Sequence, residues 1–302
     1  MGRAARVTFV VALVVVDVVL IVWLVTWVGD HRHAAASAAE TSTPTSISPA
    51  GSLVPTGAVS VVATGGMVLR LTEGTCSGEG RPMLEVSADT GATFNEVAVP
   101  VLDADDGTRG PVRTLLAARA TSPTEIHVVA GDLACTARGF VTTDGGRTWT
   151  EAPYDDWFVD ASRESVVGPD DAVEAGCTVR SLSVLSRQDL RVLCEDGTIR
   201  GTNDAGETWV VLGGLEDATA AALIAVFDGY GIASRPECAS QVMRTDDAGA
   251  SWTEVGCIDP AATVTNLTGP ADALLAATET QTWSSSDGGL TWIPADQDPA
   301  AE

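Results

Sequence analysis

One short phrase recurs five times along the 302 residues, and each time its side chains prescribe a backbone geometry. The copies are Ser87-Ala-Asp89-Thr-Gly91-Ala-Thr93-Phe94, Thr142-Thr-Asp144-Gly-Gly146-Arg-Thr148-Trp149, Thr202-Asn-Asp204-Ala-Gly206-Glu-Thr208-Trp209, Thr245-Asp-Asp247-Ala-Gly249-Ala-Ser251-Trp252 and Ser285-Ser-Asp287-Gly-Gly289-Leu-Thr291-Trp292. The Asp carboxylate accepts hydrogen bonds from the N–H groups of its own turn, and the Gly supplies a positive φ without a steric cost. The Ser or Thr then begins a return strand, and the aromatic is placed to pack on a neighbouring sheet. Each phrase therefore reads as a tight connection between two antiparallel strands.

Strand-like runs precede every copy, at Met83–Ser87, Gly139–Thr142, Thr198–Thr202, Gln241–Thr245 and Gln281–Ser285. Two further apolar runs lie upstream within each unit, for example Val179–Leu185 and Leu190–Cys194. Four strands per unit in tandem is the pattern of a β-propeller blade, so the fold class is all-β. The Asp positions are separated by 55, 60, 43 and 40 residues, against about 40 to 45 for a four-stranded blade. The two longer intervals carry extra residues, but too few for an unmarked blade. Ala58–Ala63 and Met67–Leu71 supply the first strands of the first unit. The expectation is five four-stranded blades over residues 56–295.

The five copies, spread over residues 83–293, resemble the Asp-box repeat (the bacterial neuraminidase repeat), S-x-D-x-G-x-T-W. Such repeats occur in sialidases, sortilin-like receptors, xyloglucan-cleaving glycosidases and photosystem II assembly-factor-like proteins. The resemblance implies that each box is a structural turn on the blade rim, away from the central ligand pocket. Asp89, Gly91, Asp144, Gly146, Asp204, Gly206, Asp247, Gly249, Asp287 and Gly289 are then structural. The expected blade count matches neither a sialidase propeller nor a photosystem-factor propeller. A Ca²⁺-loop reading fails, because the ligand spacing of an EF-hand is absent.

The resemblance raises the question of an active site. Sialidases are similar to one another in an Arg triad, a Tyr nucleophile helped by a Glu, an Asp acid/base and an early Arg-Ile-Pro motif. Here the Arg-Pro pairs, Arg81-Pro82 and Arg235-Pro236, lack the Ile, and Tyr154 and Tyr230 are the only tyrosines. Other glycosidases need two carboxylates across the scissile bond, a pattern that so acidic a chain satisfies too easily to be informative. No G-x-S-x-G elbow, H-E-x-x-H helix or phosphate-cradling Gly loop is present. The long box intervals do single out an insertion, residues 150–177. It holds Tyr154, Asp155, Asp156, Trp157, Phe158 and Glu174. Aromatics beside carboxylates can line a sugar or peptide site, with Tyr154, Asp155, Asp156 and Trp157 as the candidate ligand-binding residues. The plainer account is a surface Ω-loop packed by its own aromatics.

Ahead of the repeats, Val7 to Val28 form an apolar run interrupted by Thr8, Asp17 and Thr26. Twenty-two residues suffice to cross the hydrocarbon core as a helix. Arg3 and Arg6 before it leave residues 1–6 in the cytoplasm and the bulk of the chain outside. A cleaved secretory signal is the rival reading, with the Ala-Ser run at 34–39 offering cleavage sites, although its apolar region is normally shorter. Residues 29–55 are rich in Ala, Ser, Thr and Pro and read as a flexible tether, and 296–302 as an acidic tail. His31 and His33 in the tether are a weak metal signal; no metal and no cofactor is expected.

Six Cys, an even number, suit an oxidising compartment. Cys238 and Cys257 flank the turn at Asp247, and Cys177 and Cys194 flank the turn near Ser186, so each pair can bridge its hairpin. That leaves Cys76 with Cys135. Every strongly basic side chain is Arg, with no Lys, which together with the Ala and Val bias suggests a high-GC, actinobacterial genome. The net charge of −24 repels phosphates and anionic headgroups, arguing against nucleic acid. The reading that results is a membrane-anchored extracytoplasmic propeller that acts as a binding or assembly scaffold for a protein or glycan ligand, with no recognisable catalytic set. The alternative is an extracytoplasmic glycoside hydrolase.

Overall fold

The computed structural model describes residues 59–64, 67–75, 80–103, 109–132, 134, 136–259 and 261–295. The apolar run at 7–28, the tether, Cys76, Cys135 and the tail lie outside the described residues. Within them, no helix is long and apolar enough to cross a membrane.

The middle strands are near-continuous buried runs, such as Leu190–Cys194 and Leu274–Ala277, because neighbouring sheets cover both of their faces, and the chain builds six sheets. The first holds β1 (Val59–Thr64), β2 (Met67–Thr72), β3 (Met83–Ser87) and β4 (Asn95–Val97). A hairpin of β5 (Val101–Asp103) and β6 (Arg109–Pro111) follows. The second sheet comprises β7 (Thr114–Ala120), β8 (Ile126–Gly131), β9 (Ala137–Thr142) and β10 (Thr150–Glu151). The third has three strands, β11 (Phe158–Val159), β12 (Ser165–Val167) and β13 (Ala172–Glu174). The fourth contains β14 (Val179–Val184), β15 (Leu190–Cys194), β16 (Thr198–Thr202) and β17 (Val210–Gly214). The fifth contains β18 (Ala218–Leu223), β19 (Gly229–Arg235), β20 (Cys238–Thr245) and β21 (Thr253–Cys257). The sixth contains β22 (Asn266–Thr268), β23 (Leu274–Ala277), β24 (Thr282–Ser285) and β25 (Ile293–Pro294). All neighbours pair antiparallel in sequence order.

The first strands of the sheets touch in a closed ring, β1 to β7, β7 to β11, β11 to β14, β14 to β18, β18 to β22 and β22 back to β1. The architecture is a β-propeller of six sheets, and the expectation of five blades is corrected. The insertion at 150–177 supplies the additional sheet, without a box and with three strands instead of four. Strands of two or three residues need far less chain than the four full strands the length estimate assumed.

The core lies between sheets. Leu69, Leu84, Leu115 and Phe140 fill the first junction, and Leu190, Val192, Val166 and Trp157 the third. Leu193, Ile199 and Met243 join sheets four and five. Ile232, Val242, Leu274 and Trp283 join five and six, and Val61, Val68 and Leu275 close six onto one. Phe94, Trp149, Trp209, Trp252 and Trp292, from the five boxes, are partly buried against these clusters. Cys177–Cys194 and Cys238–Cys257 form the two expected disulfides of the described region.

Candidate functional site

Each box folds through one repeated set of hydrogen bonds. In the second sheet the Thr142 hydroxyl donates to Asp144 Oδ1 at 2.8 Å and accepts the Gly146 N–H at 2.9 Å. The same carboxylate accepts the Thr148 N–H at 2.9 Å and the Thr148 hydroxyl at 2.7 Å. The other four repeat it around Asp89, Asp204, Asp247 and Asp287. These bonds lower the carboxyls of Asp89, Asp144, Asp204 and Asp287 to about 2. Each carboxylate accepts three hydrogen bonds from its own turn, between the third and fourth strands at the outer side of the sheet.

In an antiparallel sheet the turn after the first strand lies at the same end as the turn after the third. Backbone bonds tie the two together: Gly145 N–H to Thr124 O, Ala205 N–H to Gln188 O, and Ala248 N–H to Phe227 O at 2.8 Å. This end is the box face. Between it and the far face runs a central cavity of about 1130 Å³, walled by residues from all six first strands, among them Val62, Ala117, Phe158, Ser183, Ala222 and Asn266. Small and hydroxyl-bearing side chains such as Ala117, Ser181, Ser183 and Thr219 alternate in the wall with larger ones such as Val62, Leu116 and Leu182. Ser181 Oγ donates to Ala221 O at 3.1 Å and Ser183 Oγ accepts the Leu223 N–H at 2.9 Å, so these hydroxyls satisfy the neighbouring strand's exposed edge.

The third sheet enters this wall in the reverse direction. Asp155, just before β11, meets Arg119 at the end of β7 at 2.5 Å. Arg163, after β11, accepts the N–H of Val179 at the start of β14 at 2.7 Å and donates to Glu73 at 3.2 Å. β11 thus runs from the box face to the far face, opposite to β7 and β14. Parity requires it: four antiparallel strands return the chain to the face it entered, whereas three deliver it to the other one. The chain leaves β10 after two residues, crosses at the box face and descends.

That crossing carries the candidate residues Tyr154, Asp155, Asp156 and Trp157. Tyr154 and Asp156 line the cavity near its box-face mouth. The Tyr154 ring packs edge-on to Phe158 with centroids 5.9 Å apart, and the Arg119 guanidinium lies 5.7 Å from its centroid. Burial, followed by the nearby Asp156 charge, pushes the Tyr154 hydroxyl up, so it stays protonated near neutral pH. Asp155 is engaged by Arg119, and Asp156 accepts the Trp157 N–H at 2.8 Å. Trp157 is 9% exposed and belongs to the core; Gly168 leaves room for its ring, and its Nε1–H donates to Arg187 O at 3.1 Å.

Residue-type reasoning missed Arg119, Glu73 and Arg163, which share the cavity. Burial raises the Glu73 carboxyl and Arg163 partly opposes the rise. Their positions follow from ring closure, for which a single sequence has no local signal. Among the described residues, no three His, Cys, Asp or Glu side chains gather as a metal-binding group.

Fold and cavity define a six-sheet β-propeller with a central channel lined by both polar and apolar side chains. No protein-family model matches the chain, and no curated protein does. Among solved structures it is similar to YCF48 bound to D1 peptide, at 16% identity and a TM-score of 0.30, covering 66% of this chain and 56% of that one. It is similar to YCF48 from Cyanidioschyzon merolae, at 12% identity and a TM-score of 0.42, covering 76% and 79%. A GH74 xyloglucanase from Xanthomonas campestris is similar at 11% identity and a TM-score of 0.31, covering 78% and 48%. The chain spans about half the length of the first and last of these.

Proposed function

We propose that this chain is an exported, membrane-tethered propeller that binds a protein or glycan ligand in its central channel and serves as a binding or assembly scaffold. The channel carries this reading: about 1130 Å³ exceeds the roughly 300–1,000 Å³ of ordinary small-molecule pockets. The apolar run at 7–28 behind Arg3 and Arg6 supports a tether with the propeller outside. The two disulfides support an oxidising compartment. To test it, a photo-reactive side chain is placed at Ser183 in the channel or at Val211 on the outer strand β17, in the full-length chain in its own membranes. Adducts with one stoichiometric ligand are expected at Ser183 only. Equal labelling at Val211 would remove the channel from the reading.

Carbohydrate hydrolysis is the second reading, and one observation favours it. Glu73 is a cavity carboxyl whose proton affinity is raised by burial, the property a general acid needs. Turnover of fluorogenic glycosides, lost in Glu73→Gln, would establish it; the scaffold reading expects no turnover.

A further inference from the structure

We propose that the box-face mouth takes an extended segment of a partner protein, with an apolar side chain against Val226 and Phe227 and a basic side chain toward Asp155 and Asp156. This rests on the channel being a binding site and adds the class of ligand.

Three turns on the box face share one backbone geometry. In residues 121–125, 185–189 and 224–228, the first and second N–H groups donate to the carbonyl of the fifth residue. In each, the fourth residue's carbonyl accepts an N–H from its own sheet's box. Position by position, Ser122 and Ser186 correspond to Ala225, Pro123 and Arg187 to Val226, and Thr124 and Gln188 to Phe227. Ser122 and Ser186 hydroxyls accept backbone N–H groups of their turns. The geometry therefore forms with polar residues, and nothing in the turn requires Val and Phe at its tip. Yet Val226 is 43% and Phe227 62% exposed, and Val184, which ends the neighbouring first strand at the cavity, is 40% exposed.

Grouped exposed apolar side chains beside a cavity mark a contact surface. Val184 and Val226 offer no hydrogen bonds, so sugar hydroxyls placed on them would lose water without compensation, whereas an apolar side chain gains by burial. In a six-membered ring, sheet two stands across from sheet five. On that side are Asp155 and Asp156, with the guanidinium of Arg119 already engaged by Asp155. With a net charge of −24, the chain draws in a cationic segment and repels a second copy of itself, nucleic acid or an anionic bilayer.

The test uses the full-length chain in detergent micelles, labelled and applied to immobilised octapeptides with two positions varied over Leu or Phe, Arg or Lys, Asp or Glu, and Gly. A glycan array and phosphatidylcholine vesicles with and without phosphatidylserine run alongside. Retention should be strongest for peptides that combine an apolar and a basic residue. Phe227→Ser should weaken it about tenfold, the scale of losing one buried apolar side chain. Asp155→Asn with Asp156→Asn should abolish the preference for Arg over Glu, and Val211→Ser should change nothing. Indifference to peptide charge, or retention unchanged by Phe227→Ser, overturns the proposal, as does glycan or vesicle binding that Phe227→Ser destroys. Channel adducts at Ser183 without peptide retention would overturn the ligand class and leave the channel reading intact; failure of both would overturn both.

Discussion

In sheet four the turn between the third and fourth strands is tied by Asp204, while sheet three beside it has neither a box nor a fourth strand. The box of sheet four presses Gly206 onto Val173 of β13, with no space for a Cβ. Gly249 on Ile199 and Gly289 on Val242 repeat this contact between other neighbours. In the sheets that carry one, the box thus locks the blade to the one before it. Lacking a box, sheet three has no such grip on sheet two, and among the described residues no hydrophobic cluster spans that junction. Arg119, Tyr154 and Asp155 bridge it instead, at the mouth of the channel. The box Trp side chains differ in where their Nε1–H goes. Trp149 donates to Ala98, just beyond the fourth strand of the preceding sheet, whereas Trp252 and Trp292 donate to Gly249 and Gly289 of their own boxes. The Nε1 of Trp209, beside sheet three, is buried without a partner. Where local turn chemistry is absent, one large buried side chain and an ion pair take over, and the candidate site lies there.

The largest expected effect probes sheet three itself. Trp157→Ala should cost about 3–5 kcal/mol, as for a buried Trp in a core. Trp292→Ala, at a half-buried box position, should cost roughly half of that. Denaturant midpoints measure both, and equal costs would dissolve the distinction between the regions. Gly206→Ala introduces a Cβ at φ +89° against Val173 and should cost about 1–3 kcal/mol. Combined with Val173→Ala, part of that cost should be recovered. Simple additivity would show that the box does not grip sheet three.

The smallest effect is electrostatic. The box carboxyls of Asp89, Asp144, Asp204 and Asp287 lie at about 2, below an unfolded value of about 3.9. Carboxyls that bind protons less tightly when folded contribute stability in full above about pH 4, and lose it as pH falls through about 2. Hydrogen exchange from pH 5 to 2 should therefore show the Thr148 and Thr208 amides losing protection before those of Val166 and Val173. Simultaneous loss would mean the boxes and sheet three respond as one unit.

Legibility follows the same division. The box turns, β3, β14 to β16 and the pairing of Cys177–Cys194 and Cys238–Cys257 could be read because their determinants lie within a few residues or one hairpin. The aromatics of 150–177 stood out in the sequence, but their division did not. Tyr154, Asp156 and Trp157 all line the cavity, but only Trp157 also fills the core between sheets three and four. Phe227 does carry a signal in the sequence: aligning the turns 121–125, 185–189 and 224–228 exposes it as the apolar outlier.

The sequence alone determined an all-β repeat with five Asp-tied hairpins, because each Asp, Gly and hydroxyl acts on backbone four residues away or less. Tertiary structure decided that there are six sheets, that β11 runs against its neighbours, and that Arg119, Glu73 and Tyr154 face one channel. β11, β12 and β13 are each only two or three residues long and carry no turn signature, so their placement comes from burial of Trp157 and Val166 against sheet four and from the parity of ring closure.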